Sequence, residues 1–325
     1  MLVSLLIDAA ALPSSAIQLM STALPPALDG EIMVLDDPRA GRLALYVRGD
    51  ASSEHAPLLL VHSVNAAAAA AEVRPIFEHY ATTRPTYALD LPGFGLSDRS
   101  DRPYTPRLMT DAIHAAASAI QRFHGDVPID ALALSLSSEF LARAAVEQPE
   151  RFRSLALVSP TGFSGTQKRT GPRGSTRAIP GMLGIVSFSL WDDLLFDNLT
   201  RPSVVRYFLK RTWGAPNIDE ELWAYAVRTA REPGAKHAPL HFLSGHLFSN
   251  DVNTLYDALQ LPVWMCHGVR GDFVDYRGAE AMRARANWEL TTFPTGALPQ
   301  FEVPAELVAT YDAFLKGAAS ASARA

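Results

Sequence analysis

Cysteine occurs once in this chain, at Cys266, so no internal disulfide can form and a disulfide framework is excluded. No stretch approaches the roughly 18 uninterrupted apolar residues of a membrane-spanning helix. There is no basic excess: 29 Lys and Arg face 34 Asp and Glu, a formal charge of −5, which leaves no electrostatic footprint for nucleic acid. The first 24 residues lack Lys and Arg and carry one charge, Asp8. A secretory signal needs a positive start and a longer apolar run than Leu2 to Ile7. A docked N-terminal helix and a cytoplasmic location are expected instead, although so short an apolar segment could still touch a membrane surface. There is no H-E-x-x-H, and the nine histidines are scattered among apolar residues, so no metal site is expected. Pro92-Gly-Phe-Gly-Leu-Ser97 is glycine-containing but lacks the dinucleotide fingerprint, and no cofactor is implied.

What is present is an ordinary globular composition, 48% hydrophobic over 325 residues, enough for one large α/β domain with an insertion, or for two domains. Strand-like apolar runs alternate with helical patterns from about residue 43 to 160, which predicts βαβ units and a mostly parallel, doubly wound sheet. The alanine run 66–71 is expected to open a helix, and Pro106 to Phe123 reads as another. From 162 to 184 the chain turns rich in Gly, Pro, Ser and Thr, with Lys168, Arg169, Arg173 and Arg177 clustered. That pattern predicts a loop or hairpin with a solvated basic face, or an anion site. Helices are predicted over 201–213 and 219–231, the latter acidic at its start and basic at its end, as the helix dipole favours. Strand pattern returns near Leu261, and the Ala/Ser-rich end is expected to fray.

The most informative segment is Ile129 to Ala145. An apolar strand-length run, Ile129-Asp-Ala-Leu-Ala-Leu134, meets Ser135 directly, and a helical pattern follows. A serine on a sharp strand-to-helix turn is the geometry of a nucleophile elbow, which requires small residues two before and two after it. Those positions are Ala133 and Ser137.

From these residues the chain resembles the α/β-hydrolase superfamily, in its cap-containing, serine-nucleophile branch, over most of its length. The closest motif match is Tyr87-Ala-Leu-Asp-Leu-Pro-Gly-Phe-Gly-Leu-Ser97. Leu58 to His62 resembles the strand before the oxyanion loop, Leu155 to Pro160 the strand after the nucleophile helix, Pro262 to Asp272 the acid strand, and Phe293 to Pro304 the histidine loop. The resemblance implies a core of residues 31–161 and 259–316, a helical cap over 162–258, an N-terminal segment 1–30 and a flexible tail 317–325. It implies Ser135 as nucleophile, the backbone N–H groups of Val64 and Leu136 as oxyanion donors, and Asp272 as the acid, with Asp275 a neighbouring alternative. It also implies that Trp191, Phe208, Trp213 and Trp223 supply apolar surface, some of it facing the pocket.

One position breaks the pattern. Where the family has a Gly-His pair, this chain reads Gly296-Ala297. Ser63, Ala133 and Ser137 depart from glycine at the same site. A serine hydroxyl needs a base in hydrogen-bond reach, and the other histidines are the alternatives: His62, which reads as a structural histidine, His267 at a strand end, and His241 and His246 in the cap. Three readings remain open. The chain is a serine hydrolase for an ester, or for a C–C bond beside a carbonyl, in a small apolar substrate bound under the cap. Alternatively it is a lyase or cyclase on the same scaffold, or a pseudoenzyme that binds a small apolar ligand or a partner protein.

Overall fold

The computed structural model describes residues 24–322; the N-terminal helix expected before Leu24 lies outside them. Its strands are β1 (Glu31–Asp37), β2 (Gly41–Arg48), β3 (Leu58–Val61), β4 (Thr86–Leu89), β5 (Ile129–Leu134), β6 (Phe152–Val158), β7 (Val263–His267) and β8 (Trp288–Thr292). They form one sheet in the order β1-β2-β4-β3-β5-β6-β7-β8. β2 pairs antiparallel with β1 and β4; every other pairing is parallel.

The helices are α1 (Arg74–Tyr80), α2 (Pro106–His124), α3 (Ser137–Glu147), α4 (Met182–Val186), α5 (Asp192–Leu199), α6 (Pro202–Trp213), α7 (Glu220–Thr229), α8 (His237–Leu243), α9 (Val252–Ala258), α10 (Pro299–Glu302) and α11 (Pro304–Ser322). α2 begins as its sequence dictates: the Thr105 side chain accepts from the Leu108 N–H, and Pro106 occupies the first turn, where a missing N–H costs nothing.

Both faces of the sheet are covered, so the inner strands are apolar throughout rather than alternating. Side-chain direction still alternates. Leu59, Val61, Ala131 and Ala133 join the core under α2 and α3, whereas Leu58, Leu60, Leu132 and Leu134 pack with α1 and α11. The chain leaves β3 for β4 on one side and returns to β5 on the other. The carboxyl ends of β3 and β5 therefore flank the switch point, where open α/β sheets hold their ligands.

Two expectations are corrected. The alanine run does not open an α-helix: Ala70–Val73 is a single 3₁₀ turn and α1 starts at Arg74. Side-chain acceptors, one local and one distant in sequence, override helix propensity here. The Ala67 N–H donates to Asn65 Oδ1, and the Ala70 N–H to Asp90 Oδ1. At the other end α11 runs through Ser322, with Ala318 buried, so residues 317–322 are helical where a frayed tail was expected.

Between β6 and β7 the elements are all helical apart from one isolated bridge, Thr176 to Ser249. The basic residues of this insertion disperse into separate contacts. Lys168 pairs with Asp257, and Arg177 lies over the Phe248 ring. No helix among the described residues is long and apolar enough to cross a membrane.

Candidate functional site

Ser135 sits between β5 and α3 with φ 51°. A left-handed backbone at a non-glycine residue is strained and has to be held in place by its surroundings. The Ser135 N–H donates to the Val158 carbonyl at 2.9 Å, and its carbonyl accepts from the Thr161 N–H at 3.4 Å. Ala133 and Ser137 on either side are fully buried.

The loop after β3 is built around two buried side chains. His62 Nδ1 donates to the Ser63 carbonyl at 2.6 Å, and its Nε2 accepts from the Leu91 N–H at 3.0 Å. Both ring nitrogens are committed, so His62 is structural and is no base for Ser135. Glu72 receives the Ser63 N–H at 2.8 Å and the Asn65 amide at 2.7 Å. Ser63 has no left-handed backbone, so its Cβ is carried without strain. The Ser137 hydroxyl donates to the His62 carbonyl at 2.5 Å, tying the elbow to this loop.

Val64 and Leu136 follow. Among the described residues neither backbone N–H donates to a protein acceptor. Together with Ser135 they line a cavity of about 200 Å³. Asn65, Glu72, Ser159, Thr161 and Ala297 also line it, and the helical insertion adds Leu209, Thr212, Phe242 and Phe248. A larger open groove, about 760 Å³, runs along the β1–β2 edge and contains none of the candidate residues.

No histidine lines the Ser135 cavity. The α8 turn that directs Phe242 inward sets His241 edge-on to Tyr104 and His246 instead, and burial lowers the His241 pKa. His246 Nδ1 bonds the Ser244 hydroxyl. His267 stacks on Tyr276 with ring centroids 3.9 Å apart and bonds the Gly268 carbonyl through Nδ1. Burial depresses its pKa as well. Cys266 is fully buried and its thiol is pushed up, the opposite of a reactive thiolate.

Ala297 is buried on the cavity wall, where the resemblance expected a histidine. Its carbonyl accepts from the Ser159 hydroxyl at 2.7 Å, and its N–H donates to the Thr212 carbonyl of α6 at 2.9 Å. A Cβ on Gly296 would stand 2.4 Å from the carbonyl oxygens of Thr212 and Trp213, which explains the glycine. Asp272 is not among the cavity residues. Both its carboxylate oxygens bond the Arg211 guanidinium of α6, and its N–H donates to the Arg211 carbonyl. Asp275 is bound to Arg277 and the Gly165 N–H, and Arg277 holds its carboxyl well below the usual carboxylate range. The structure thus gathers Ser135, Val64, Leu136 and Ala297 and leaves both acid candidates on arginines.

Of the four large aromatics expected near the pocket, none lines it. Trp213 is buried against Phe301, Trp223 lies under Arg206, and Trp191 and Phe208 are solvent-exposed. Two residues escaped the sequence reading. Glu72 is a carboxylate on the cavity wall. Glu139, in the first turn of α3, is fully buried behind Thr161, and burial raises its pKa to about 7. A glutamate after an alanine run, or in the first turn of a helix, gives no hint of burial.

The chain has the α/β-hydrolase fold: a mostly parallel eight-stranded sheet wound on both faces, with the strained serine at the end of β5. Solved structures with this architecture superpose on nearly its whole length. A membrane phospholipase A described as a bacterial virulence factor gives a TM-score of 0.65 at 19% identity, over 94% of this chain and 90% of that one. The 2-hydroxy-6-oxo-6-phenylhexa-2,4-dienoate hydrolase of Rhodococcus sp. strain RHA1 gives 0.63 at 19%, over 88% and 100%. A carboxylesterase from Bacillus subtilis gives 0.63 at 16%, over 94% and 96%. Among curated proteins, the dihydrolipoyllysine-residue acetyltransferase component of the acetoin cleaving system of Cupriavidus necator is 32% identical over 123 residues, 33% of this chain. The match spans 31% of that protein's length. No family model matches the chain.

Proposed function

We propose that this protein is a hydrolase that uses Ser135 on a neutral, apolar substrate, an ester or a ketone whose C–C bond lies beside the carbonyl. The observation that carries this reading is the strained Ser135 facing a small cavity beside two N–H groups with no protein acceptor. In this reading Ser135 Oγ attacks the carbonyl carbon, and the Val64 and Leu136 N–H groups receive the developing oxyanion. The helical insertion acts as a cap, with Leu209, Phe242 and Phe248 shaping the apolar side of the pocket. A neutral substrate is supported by the lining: among the described residues it holds no cation, and its one ionisable group is Glu72, whose carboxylate would repel an acidic substrate. Solved neighbours that are an esterase, a phospholipase and a C–C hydrolase support the class.

The test is labelling with a fluorophosphonate and mass spectrometry of the modified peptide. Labelling on Ser135, absent in Ser135→Ala, is the expected result. A specific observation favours a second reading, a ligand-binding protein without turnover: the cavity holds no histidine, and both acid candidates are paired with arginine. Tight binding of an apolar ligand without any labelling would select it. A lyase or cyclase would label at Ser135 weakly and convert substrate without consuming water.

A further inference from the structure

The group behind the elbow offers an answer to the missing imidazole. Glu139 is fully enclosed, and its two oxygens have separate duties. One accepts the Ser249 N–H at 2.7 Å, and the other accepts the Thr161 hydroxyl at 2.5 Å. Thr161 in turn lines the Ser135 cavity, and its N–H bonds the Ser135 carbonyl. A hydroxyl that donates to a carboxylate keeps its lone pairs free to accept. Thr161 can therefore receive a hydrogen bond from the cavity while it holds Glu139.

We infer that Glu139, acting through the Thr161 hydroxyl, is the proton acceptor for Ser135 in this chain. The inference rests on Ser135 being a nucleophile. As the Ser135 Oγ–carbon bond forms, the Oγ–H bond breaks and its proton passes to Thr161 Oγ1. The proton of Thr161 passes to Glu139 in the same movement. Thr161 ends neutral, Glu139 ends as the carboxylic acid, and the negative charge sits on the substrate oxygen between the Val64 and Leu136 N–H groups. When the carbonyl re-forms, the leaving oxygen or carbon takes the proton back along the same path. Water then repeats the two steps to free the acid and regenerate Ser135.

The surroundings of Glu139 suit a group that must change charge. Arg177 is the cation that faces it, from the loop after β6. Tyr256 of α9 also lies near it, and its hydroxyl bonds the Thr161 carbonyl. Arg143, one turn along α3, is neutralised by Asp251 and does not pair with Glu139. Among the described residues Glu139 thus has no ion-pair partner. Burial without a partner is the condition that brings a carboxyl towards neutral pH, where proton exchange is easiest.

The test measures the Ser135-dependent hydrolysis of p-nitrophenyl acetate between pH 5 and 9, with Ser135→Ala as the blank. In the wild type, kcat/KM is expected to rise with pH through about 7. Glu139→Gln and Thr161→Val should each lower it at pH 8 by at least about 10-fold and abolish the rise, whereas Thr161→Ser should keep both. Thr161→Val nearly preserves shape, so it remains informative if Glu139→Gln folds poorly. In Ala297→His, where an imidazole can take the proton, Glu139→Gln should cost less than about 2-fold. If both variants leave the wild-type rate and pH profile unchanged while Ser135→Ala abolishes activity, the relay is wrong and the hydrolase reading stands. If Ser135→Ala changes nothing, both fall together.

Discussion

Arg211, in the last turn of α6, grips both carboxylate oxygens of Asp272. The ion pair lies at the surface, where solvent screens it and its contribution to stability is small. Its larger consequence is geometric. It ties the helical insertion to the loop after β7, and it turns the one carboxylate at the expected acid position towards an arginine instead of the cavity. The Ala297 N–H reaches the same helix through Thr212, so α6 overlies both loops that would carry a base and its acid.

Adding an imidazole at position 297 while Asp272 stays on Arg211 should therefore raise activity only in part. Ala297→His is expected to raise esterase activity on a short activated ester by at least about 10-fold, since a positioned base contributes typically 10²–10⁴-fold. Adding Arg211→Gln, which frees Asp272 to orient the new imidazole, should raise it further, and adding Ser135→Ala should abolish the gain. Initial rates with p-nitrophenyl acetate decide the matter. A folded Ala297→His protein with no Ser135-dependent gain would mean that an imidazole at position 297 does not reach Ser135.

The fold was legible because its signals are local. Four-residue apolar strands, a serine at a strand-helix junction and the Asp90 to Gly95 turn are each readable in one stretch of sequence. Gly95 shows why: a Cβ there would lie 2.0 Å from the Asp90 carboxylate, whose oxygens bond the Ala70 and Leu96 N–H groups. What sequence could not give depends on pairs far apart in the chain. Asp272 meets Arg211 across 61 residues, and Glu139 meets Ser249 across 110. Nor does spacing tell which side of α8 faces inward: Phe242 lines the wall, and His241 beside it does not.

Ser137 stands where the elbow normally has glycine, and the structure gives it a task, the 2.5 Å bond to the His62 carbonyl. Ser137→Ala removes that donor and leaves a buried carbonyl without it. A loss of about 1–2 kcal/mol in unfolding free energy is expected, measurable by urea titration. Because the bond couples the elbow to the Val64 loop, Ser135 labelling by a fluorophosphonate should slow as well. Unchanged labelling would show that the two donors keep their positions without it.

Glu139 makes the stability of the fold depend on pH in a predictable direction. Its carboxyl titrates near 4.5 when unfolded and about 7 when folded, so the folded state binds the proton more tightly. Its contribution is therefore most favourable below the unfolded value. It declines as pH rises to about 7 and stays at its lowest above that. Glu139→Gln cannot ionise; its amide oxygen can keep the Ser249 N–H bond, and its NH2 can donate to the Thr161 hydroxyl in place of the bond that Thr161 now donates. Relative to wild type it should gain on the order of 2–3 kcal/mol between pH 4.5 and 8, a few degrees in melting temperature. Melting curves of the two proteins across that range check it. A difference that does not change with pH would mean that Glu139 keeps an ordinary carboxyl pKa.

The insertion's contribution to the cavity can be read from substrate size. Phe242 and Phe248 lie with ring centroids 5.3 Å apart and both line the wall opposite the sheet. The cavity, about 200 Å³, is smaller than the usual range for drug-sized ligands, roughly 300–1,000 Å³. It suits a short acyl group. Phe242→Ala removes a side chain that packs against the core as well as the pocket, so part of its effect falls on stability, at most about 3–5 kcal/mol because the residue is only partly buried. The specific effect is on selectivity. With p-nitrophenyl esters of increasing chain length, the ratio of kcat/KM for octanoate over acetate should rise by about 10-fold or more, at 1–3 kcal/mol per accommodated methylene in an apolar pocket. Phe208→Ala, on the same insertion but exposed and off the cavity wall, should leave the ratio unchanged. A rise in both variants, or in neither, would mean that the insertion does not select substrate through this wall.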